Sequence, residues 1–439
     1  MIDTEPTMDP LMDPQPPRGP RQRGFTLIEV SVSLIVTIIV LLGVLALFDF
    51  SNRLTRVQTN VSDMQQSLRV AQNDSVRLIR MAGRGGLPLG NLPDGTAVVV
   101  ANNVADNTHI GAAAATPEVV PGSDVLTVRG VFGAPTYQVK TGDSTAFTLD
   151  SPPTKGQVRI EIKTPTGIPQ DLAALKDAFD NSRPEALLLV GSQGSDVWAV
   201  VEFDRSNSNV SNPNQFTIGF KVTGGTHTTE YAKFSSAGPG VFPPELKAVS
   251  FVGLLEEYRF YVRREYAIPG DKTSDLAPKL SRARVYPGTQ VAWVEKAGDD
   301  LNANWHADIA DNIFDFQVAL GLDTPAKDPA AAACAAGTIR SDDKHCGIYE
   351  SADGETDDWM YNGEANTNAA LFAGSNLYYI RLSTLARTDR RDKDYEAPTL
   401  VRVEDNKYNT PETTVFNSDE ERMYRRRILR TVIDMRNLG

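Results

Sequence analysis

Residues 24–48 read GFTLIEVSVSLIVTIIVLLGVLALF, and the rest of the chain is best read outward from them. From Val30 to Phe48 the stretch holds no charge and no proline. At 1.5 Å per residue a helix of that length covers roughly 28 Å, about one hydrocarbon core. The preceding residues 1–24 carry six prolines and no apolar run, so they can neither hold a helix nor bury a core. Arg18, Arg21 and Arg23 crowd the end of that segment. They predict that this flank stays in the cytoplasm and that the bulk of the chain lies beyond the membrane. A conventional signal peptide is cut at small residues after its apolar stretch, but here the small residue at a plausible boundary is Gly24, before it. Glu29 is the second departure from an ordinary anchor. A carboxylate in an apolar helix costs up to ~3 kcal/mol near the bilayer centre, less near the end, and points to function unless it merely snorkels to the interface.

The string Gly24-Phe25-Thr26-Leu27-Ile28-Glu29-Val30 resembles the class III signal of type IV prepilins at every position of the cleavage motif. The resemblance implies cleavage after Gly24 by a prepilin peptidase on the cytoplasmic side, followed by N-methylation of Phe25. It also gives Glu29 a task. When such subunits leave the lipid and pack into a filament, the carboxylate needs a partner, and the new α-amino group of a neighbour's Phe25 supplies one. Opposite charges a few ångströms apart at low dielectric attract strongly enough to select the axial register.

Past Phe50 the pattern turns amphipathic. Leu54, Val57, Val61, Met64, Leu68, Ala71 and Leu78 recur at three- and four-residue spacing, with Arg53, Arg56, Asp63 and Arg69 off that stripe. No proline interrupts residues 25–82, and Gly83, Gly85 and Gly86 provide a stop. The expectation is one helix whose first half spans the membrane and whose second half lays an apolar stripe on a sheet; a coiled-coil seam is the alternative for that stripe. From residue 87 the chain reads as strands broken by Gly, Pro, Asn and Asp. Expected strands are Thr96–Val100, Asp124–Gly130, Gln157–Ile162, Ala186–Val190, Val197–Phe203, Gln215–Val222, Val249–Val262 (as two), Ala283–Val285, Gln290–Glu295, Phe314–Leu320, Leu377–Leu382 and Ile428–Met435. Short helices are expected at Pro169–Asn181 and Trp305–Asn312.

The plan is α+β: a type IV pilin fold, with a long N-terminal helix packed on a large, mainly antiparallel head that carries insertions. The domain reading is a cleaved leader 1–24, a transmembrane and filament-core helix 25–50, an amphipathic continuation 51–86, and a β-rich head 87–439 built as one elaborated sheet or two lobes. Within it, Arg77–Gly86 (RLIRMAGRGG), Gly122–Val128 (GSDVLTV), Ala307–Leu322 (ADIADNIFDFQVALGL) and Tyr424–Asn437 (YRRRILRTVIDMRN) resemble PilW-type minor pilins.

Composition excludes several other classes. The 439 residues carry 44 Lys+Arg against 56 Asp+Glu, a net charge of −12 that argues against a nucleic-acid coat. At 41% hydrophobic and 23% charged, the chain is not wholly disordered. Four scattered histidines and two cysteines offer no zinc spacing. Cys334 and Cys346 lie in a loop-like region that the export argument places in an oxidising compartment, where pairing is favoured over two free thiols. Asp353, Glu355, Asp357 and Asp358 have the alternation that opens a calcium loop but lack its glycine and distal glutamate, so a solvated acidic turn is the reading and no metal is expected. Arg422, Arg425, Arg426, Arg427 and Arg430 suit either a salt-bridged sheet face or a DNA patch, and the strand pattern favours the former.

No G-x-S-x-G elbow, G-x-x-x-x-G-K-[ST] loop or H-E-x-x-H helix is present, so neither an enzyme nor a cofactor is expected. The resemblance implies a minor pilin that primes assembly of a type IV pilus, starting in the inner membrane with its head in the periplasm and ending outside the cell, at the pilus tip. Its implied partners are the prepilin peptidase, other minor pilins, the major pilin and a PilY-type tip adhesin. The rivals are a type II secretion pseudopilin, which shares the leader and helix, and a membrane-anchored extracytoplasmic enzyme.

Overall fold

The computed structural model describes residues 25–87, 97–111, 117–133, 136–140, 143–163, 166–167, 169–170, 187–192, 197–209, 216–225, 235–237, 241–268, 271, 274–293, 305–323, 376–404, 406–408 and 418–435. They fall into two compact units, Met1–Thr59 and Asn60–Gly439. The expected disulfide Cys334–Cys346, the acidic turn 353–358, Gly24 and most of the helix expected at Pro169–Asn181 lie outside the described residues.

Helix α1 (Leu27–Ile79) runs through both units. In the first, every side chain from Phe25 to Arg56 is exposed. In the second, Met64, Leu68, Ala71, Ser75, Leu78 and Ile79 are buried, a stripe at the spacing the sequence announced. The helix ends in turns over residues 80–86 with Gly83, Gly85 and Gly86 at φ 77°, 102° and 95°, where an L side chain is strained. Gly85 is further confined: a Cβ there would lie 2.7 Å from Leu189 Cδ2 and 2.9 Å from Val131 Cγ2.

Among the described residues every strand pairing in the head is antiparallel. A five-stranded sheet has the order β1 (Val98–Ala101), β2 (Val125–Gly130), β10 (Glu256–Arg263), β11 (Lys279–Val285), β12 (His306–Asp311). A seven-stranded sheet has the order β3 (Tyr137–Gln138), β9 (Phe251–Leu254), β6 (Leu187–Gly191), β7 (Trp198–Asn209), β8 (Thr217–Lys221), β5 (Lys155–Arg159), β4 (Phe147–Leu149). A three-stranded sheet has β13 (Ile313–Asp323), β14 (Asn376–Arg387) and β17 (Arg426–Asp434), and β15 (Arg402–Val403) pairs with β16 (Asn406–Lys407). One short helix, α2 (Asp419–Arg422), is capped by the Ser418 side chain, which accepts from Glu421 N–H.

The seven-stranded sheet is a single insertion. All its strands lie between β2 and β10, which pair directly with each other from Glu256↔Gly130 to Phe260↔Leu126. The inserted sheet joins the rest of the head through Val131 and Leu255. Strand β6 is buried at every position. Leu187 and Leu189 face the core beneath α1, while Leu188 and Val190 face a second core built around Tyr137, Phe203, Phe220 and Tyr286. Coverage on both faces explains the unbroken apolar run LLLV.

Two expectations are corrected. Residues Trp305–Asn312 form β12 rather than a helix: the segment pairs with β11 from His306↔Ala283 to Lys279↔Asp311, and Asp308 accepts from Ser281 Oγ at 2.8 Å and Arg263 Nη2 at 2.8 Å. Tertiary pairing overrides the weak helix propensity of ADIAD. The expected strand Gln290–Glu295 is an irregular segment in its described part, touching the sheet by one bridge, Val285↔Ala292. Two backbone bonds flank that bridge, Tyr286 N–H donating to Val291 O and Trp293 N–H to Arg284 O of β11, and the pairing goes no further.

Candidate assembly interface

At the start of α1 the chain satisfies its own orphan backbone groups. Thr26 N–H donates to Glu29 Oε2 at 2.9 Å, Thr26 Oγ1 donates to the same oxygen at 3.1 Å, and Glu29 N–H donates to Thr26 Oγ1 at 3.3 Å. This is a capping box, worth about 1 kcal/mol, and it sets a negative charge at the positive end of the helix dipole. Glu29 therefore has a partner within its own subunit, and only its Oε2 is taken by these bonds. Sequence reading fixed on Glu29 and missed Thr26; the signal was there, a threonine three residues ahead of a glutamate at a helix start. Phe25, next to the expected cleavage point, is 84% exposed.

Downstream, the hydroxyls on the apolar helix are turned inward. Ser31 Oγ donates to Leu27 O at 2.9 Å and Thr37 Oγ1 to Ser33 O at 2.7 Å. Their donors are thus satisfied without solvent, as an apolar environment requires. The helix passes the length and composition test for crossing a membrane, with mean hydropathy 2.9 over its best window and none of that window buried. An uncovered apolar surface of this extent needs lipid or other helices around it.

The second unit anchors its half of α1 by more than apolar contact. Arg282 Nη1 pairs with Asp74 at 2.8 Å, Gly83 N–H donates to Arg129 O at 2.9 Å, and Val131 N–H to Arg84 O at 3.0 Å. Beneath lies a buried charge cluster. Glu257 of β10 sits directly across from Arg129 of β2 and two residues from Arg259, at 2.6 and 2.7 Å, and accepts from Gly288 N–H at 2.8 Å. Burial pushes the Glu257 carboxyl up, but the charges of Arg129 and Arg259 and these hydrogen bonds outweigh it and hold the carboxyl below the usual range. The neighbouring Glu256 faces the other side, accepting from Phe132 N–H at 2.9 Å and from Gly133 N–H and Arg284, so it fixes the chain where the inserted sheet departs.

The three-stranded sheet carries its own polar layer, clasped by the β15–β16 hairpin. Glu404, at φ 50°, accepts from Arg381 Nη2 at 2.5 Å and from Ser383 Oγ, with Arg430 Nε 3.4 Å away. Asp315 accepts from Gln317 Nε2 at 2.7 Å, Asn406 Nδ2 at 3.2 Å and Tyr408 OH. The arginines singled out near the C-terminus are largely engaged: Arg422 with Glu396 at 2.6 Å, Arg425 with Asp392 at 2.8 Å, and Arg426 with Glu421 O at 2.8 Å. Arg387 lies between the rings of Phe314 and Tyr424, 3.8 and 3.9 Å from their centroids. Among the described residues no cluster of three or more His, Cys, Asp or Glu side chains could hold a metal ion.

These features have counterparts among known families. A family model described as Type IV Pilus-assembly protein W matches residues 259–437, from within β10 to just past β17. A second, described as the prokaryotic N-terminal methylation motif, matches residues 19–45. No curated protein and no solved structure matches the chain.

Proposed function

We propose, from the likeness of residues 259–437 to Type IV Pilus-assembly protein W and of residues 19–45 to the N-terminal methylation motif, that the chain is a PilW-like minor pilin of the type IV prepilin family that primes pilus assembly and sits in the tip complex. The observation that carries the reading is the methylation motif on a helix whose apolar surface is exposed from Phe25 through Phe50. A membrane-anchored precursor that later joins a pilus fits that helix and motif. In this reading residues 1–24 are the leader, the prepilin peptidase cuts between Gly24 and Phe25, and Phe25 is then N-methylated. Residues 25–50 enter the filament core, 51–86 continue the helix and 87–439 form the head.

Glu29 sets register through the carboxylate oxygen that its capping box leaves open, pairing with the terminal amine of a neighbour's Phe25. Cys334 and Cys346 form a disulfide that clamps the insertion between β13 and β14, worth about 3 kcal/mol by loop closure. Other minor pilins and the major pilin are the partners, and a bulky head at the tip supports a PilY-type adhesin without having to pack between shaft neighbours. The work is association rather than catalysis. The description of the matched family favours a pilus over a type II secretion pseudopilus.

N-terminal mass spectrometry on sheared surface filaments tests this reading. The expected result is a mature chain beginning at N-methyl-Phe25 in the filament fraction. An uncut chain confined to membranes overturns it and restores the anchored-enzyme alternative.

A further inference from the structure

The β15–β16 hairpin is too small to hold itself in place. Each of its strands has two residues, and one further backbone bond, Tyr408 N–H to Val401 O at 2.8 Å, continues the pairing. Its seat on the three-stranded sheet rests on an apolar cluster of Val403, Tyr408, Phe314 and Leu385 and on two buried carboxylates. Glu404, at the turn, accepts from Arg381 Nη2 at 2.5 Å and Ser383 Oγ, with Arg430 Nε 3.4 Å away. Asp315, on β13, accepts from Asn406 Nδ2 at 3.2 Å and Tyr408 OH.

The two fastenings differ in charge. Glu404 faces two arginines, whereas the side chains that bond Asp315 are neutral: Gln317, whose Nε2 lies at 2.7 Å, Asn406 and Tyr408. Among the described residues the charged groups on the surrounding elements are turned to other partners. Arg381 and Arg430 face Glu404, Arg387 and Arg426 bond Glu421, and the Asp124 carboxylate accepts from Asn103 N–H and Val318 N–H. Burial and the neighbouring Asp315 hold the Tyr408 hydroxyl well above its ordinary range, outweighing the charge of Arg426, so it keeps its proton. Hydrogen-bond counting points to a second proton in the cluster. Gln317 Oε1 is buried with no donor, so the cluster is one donor short, and a proton on Asp315 adds one. Without that proton Asp315, 1% exposed, is a buried charge lacking a counter-ion, which is costly. Burial accordingly pushes its carboxyl up to about 7 against the pull of the hydrogen bonds.

We propose that Asp315 is the latch of a proton-operated clasp: with its proton it holds the β15–β16 hairpin on the three-stranded sheet, and on losing that proton to solvent it lets the hairpin lift so that water reaches the carboxylate. Lifting uncovers Phe314 and Leu385, which are 3% and 2% exposed when the clasp is shut. The fastening at Glu404 carries its own cations, so the hairpin lifts from the Asp315 side. The closed form binds the proton more tightly than the open one. Opening is therefore rarest below the ordinary carboxylate range, grows more frequent as pH rises, and levels off above about 7. A shift of roughly three units corresponds to a gain of up to about a thousandfold in opening frequency, with the closed form still dominant. This device goes beyond the pilin reading and stands whether or not the chain enters filaments.

The test is native-state hydrogen exchange of the full chain in detergent micelles, corrected for intrinsic exchange rates. The Tyr408 amide reports the hairpin, and the amides of β10 report unfolding of the head. Between about pH 4 and about pH 8 the opening constant at Tyr408 should rise by at least about a hundredfold in wild type. That rise should depend little on urea below the unfolding midpoint, because lifting a hairpin exposes little surface. Asp315→Asn cannot titrate and should show no rise. A Tyr408 opening constant that ignores pH overturns the proposal. So does a rise with the full urea dependence of the β10 amides, since the whole head then opens rather than the hairpin. A folded Asp315→Asn that keeps the rise assigns the proton to another group and overturns it too. The urea criterion is read on wild type and stands even if Asp315→Asn fails to fold.

Discussion

Raising the pH should weaken the head through one carboxyl. Asp315 is buried beneath the β15–β16 hairpin, and burial pushes its pKa up to about 7 from an ordinary 3.8. The hydrogen bonds from Gln317, Tyr408 and Asn406 pull the other way without cancelling it. The folded state thus holds this proton more tightly than the unfolded chain does. The stabilisation is fully present below the ordinary carboxylate range and is lost as pH rises through about 7. A shift of roughly 3 units at 1.36 kcal/mol each corresponds to about 4 kcal/mol. Asn at this position imitates the protonated acid and cannot titrate. Urea unfolding of the full chain in detergent, followed by tryptophan fluorescence at a series of pH values, should show wild type losing about 4 kcal/mol relative to Asp315→Asn between the two limits. The comparison cancels His306, whose pKa is lowered chiefly by burial and whose contribution runs the opposite way, being lost as pH falls through 6.5 and below. A difference between the two proteins that stays constant across this window would refute the reasoning.

Four further perturbations follow from the same geometry. Glu257→Ala leaves Arg129 and Arg259 buried without their carboxylate and should cost about 3–5 kcal/mol by the same unfolding assay. Gly85→Ala forces a Cβ to within 2.7 Å of Leu189 at a positive φ, and a loss of about 2 kcal/mol is expected, read as a lower urea midpoint with unchanged slope. At the other end, Thr26→Ala should speed hydrogen exchange of the first-turn amides by about fivefold in detergent, the equivalent of about 1 kcal/mol. Glu29→Leu should still insert and be cleaved but be depleted from sheared filaments; normal incorporation in an immunoblot of that fraction counts against its register role.

Much of the architecture was legible because its signals are local. The apolar run after Gly24 and the three- to four-residue stripe from Met64 to Leu78 each state which face is buried, and the glycines at 83, 85 and 86 state where the helix must stop. The apolar run of β6 was readable for the same reason. What failed depends on partners far away in sequence. His306–Asp311 becomes a strand because β11 is there to pair with it. Gln290–Trp293 has a strand-like composition but finds only one bridge. The ion cluster of Glu257 joins residues more than a hundred positions apart, and no spacing rule announces it. The place of β17 at the end of its sheet likewise follows from the order of three strands, which no single segment encodes.

The inserted sheet leaves and re-enters the head at adjacent strands, through Val131 and Leu255, and this has a mechanical consequence. A pull applied between α1 and β17 travels through the core those two elements share, which includes Leu68, Phe316, Ile380 and Ile433. The inserted sheet packs Leu187, Leu189, Trp198 and Val200 against that core but contributes no strand to the five- or three-stranded sheets. Its second core and the loops it carries can thus change in size and shape while the tensile element of the subunit stays the same.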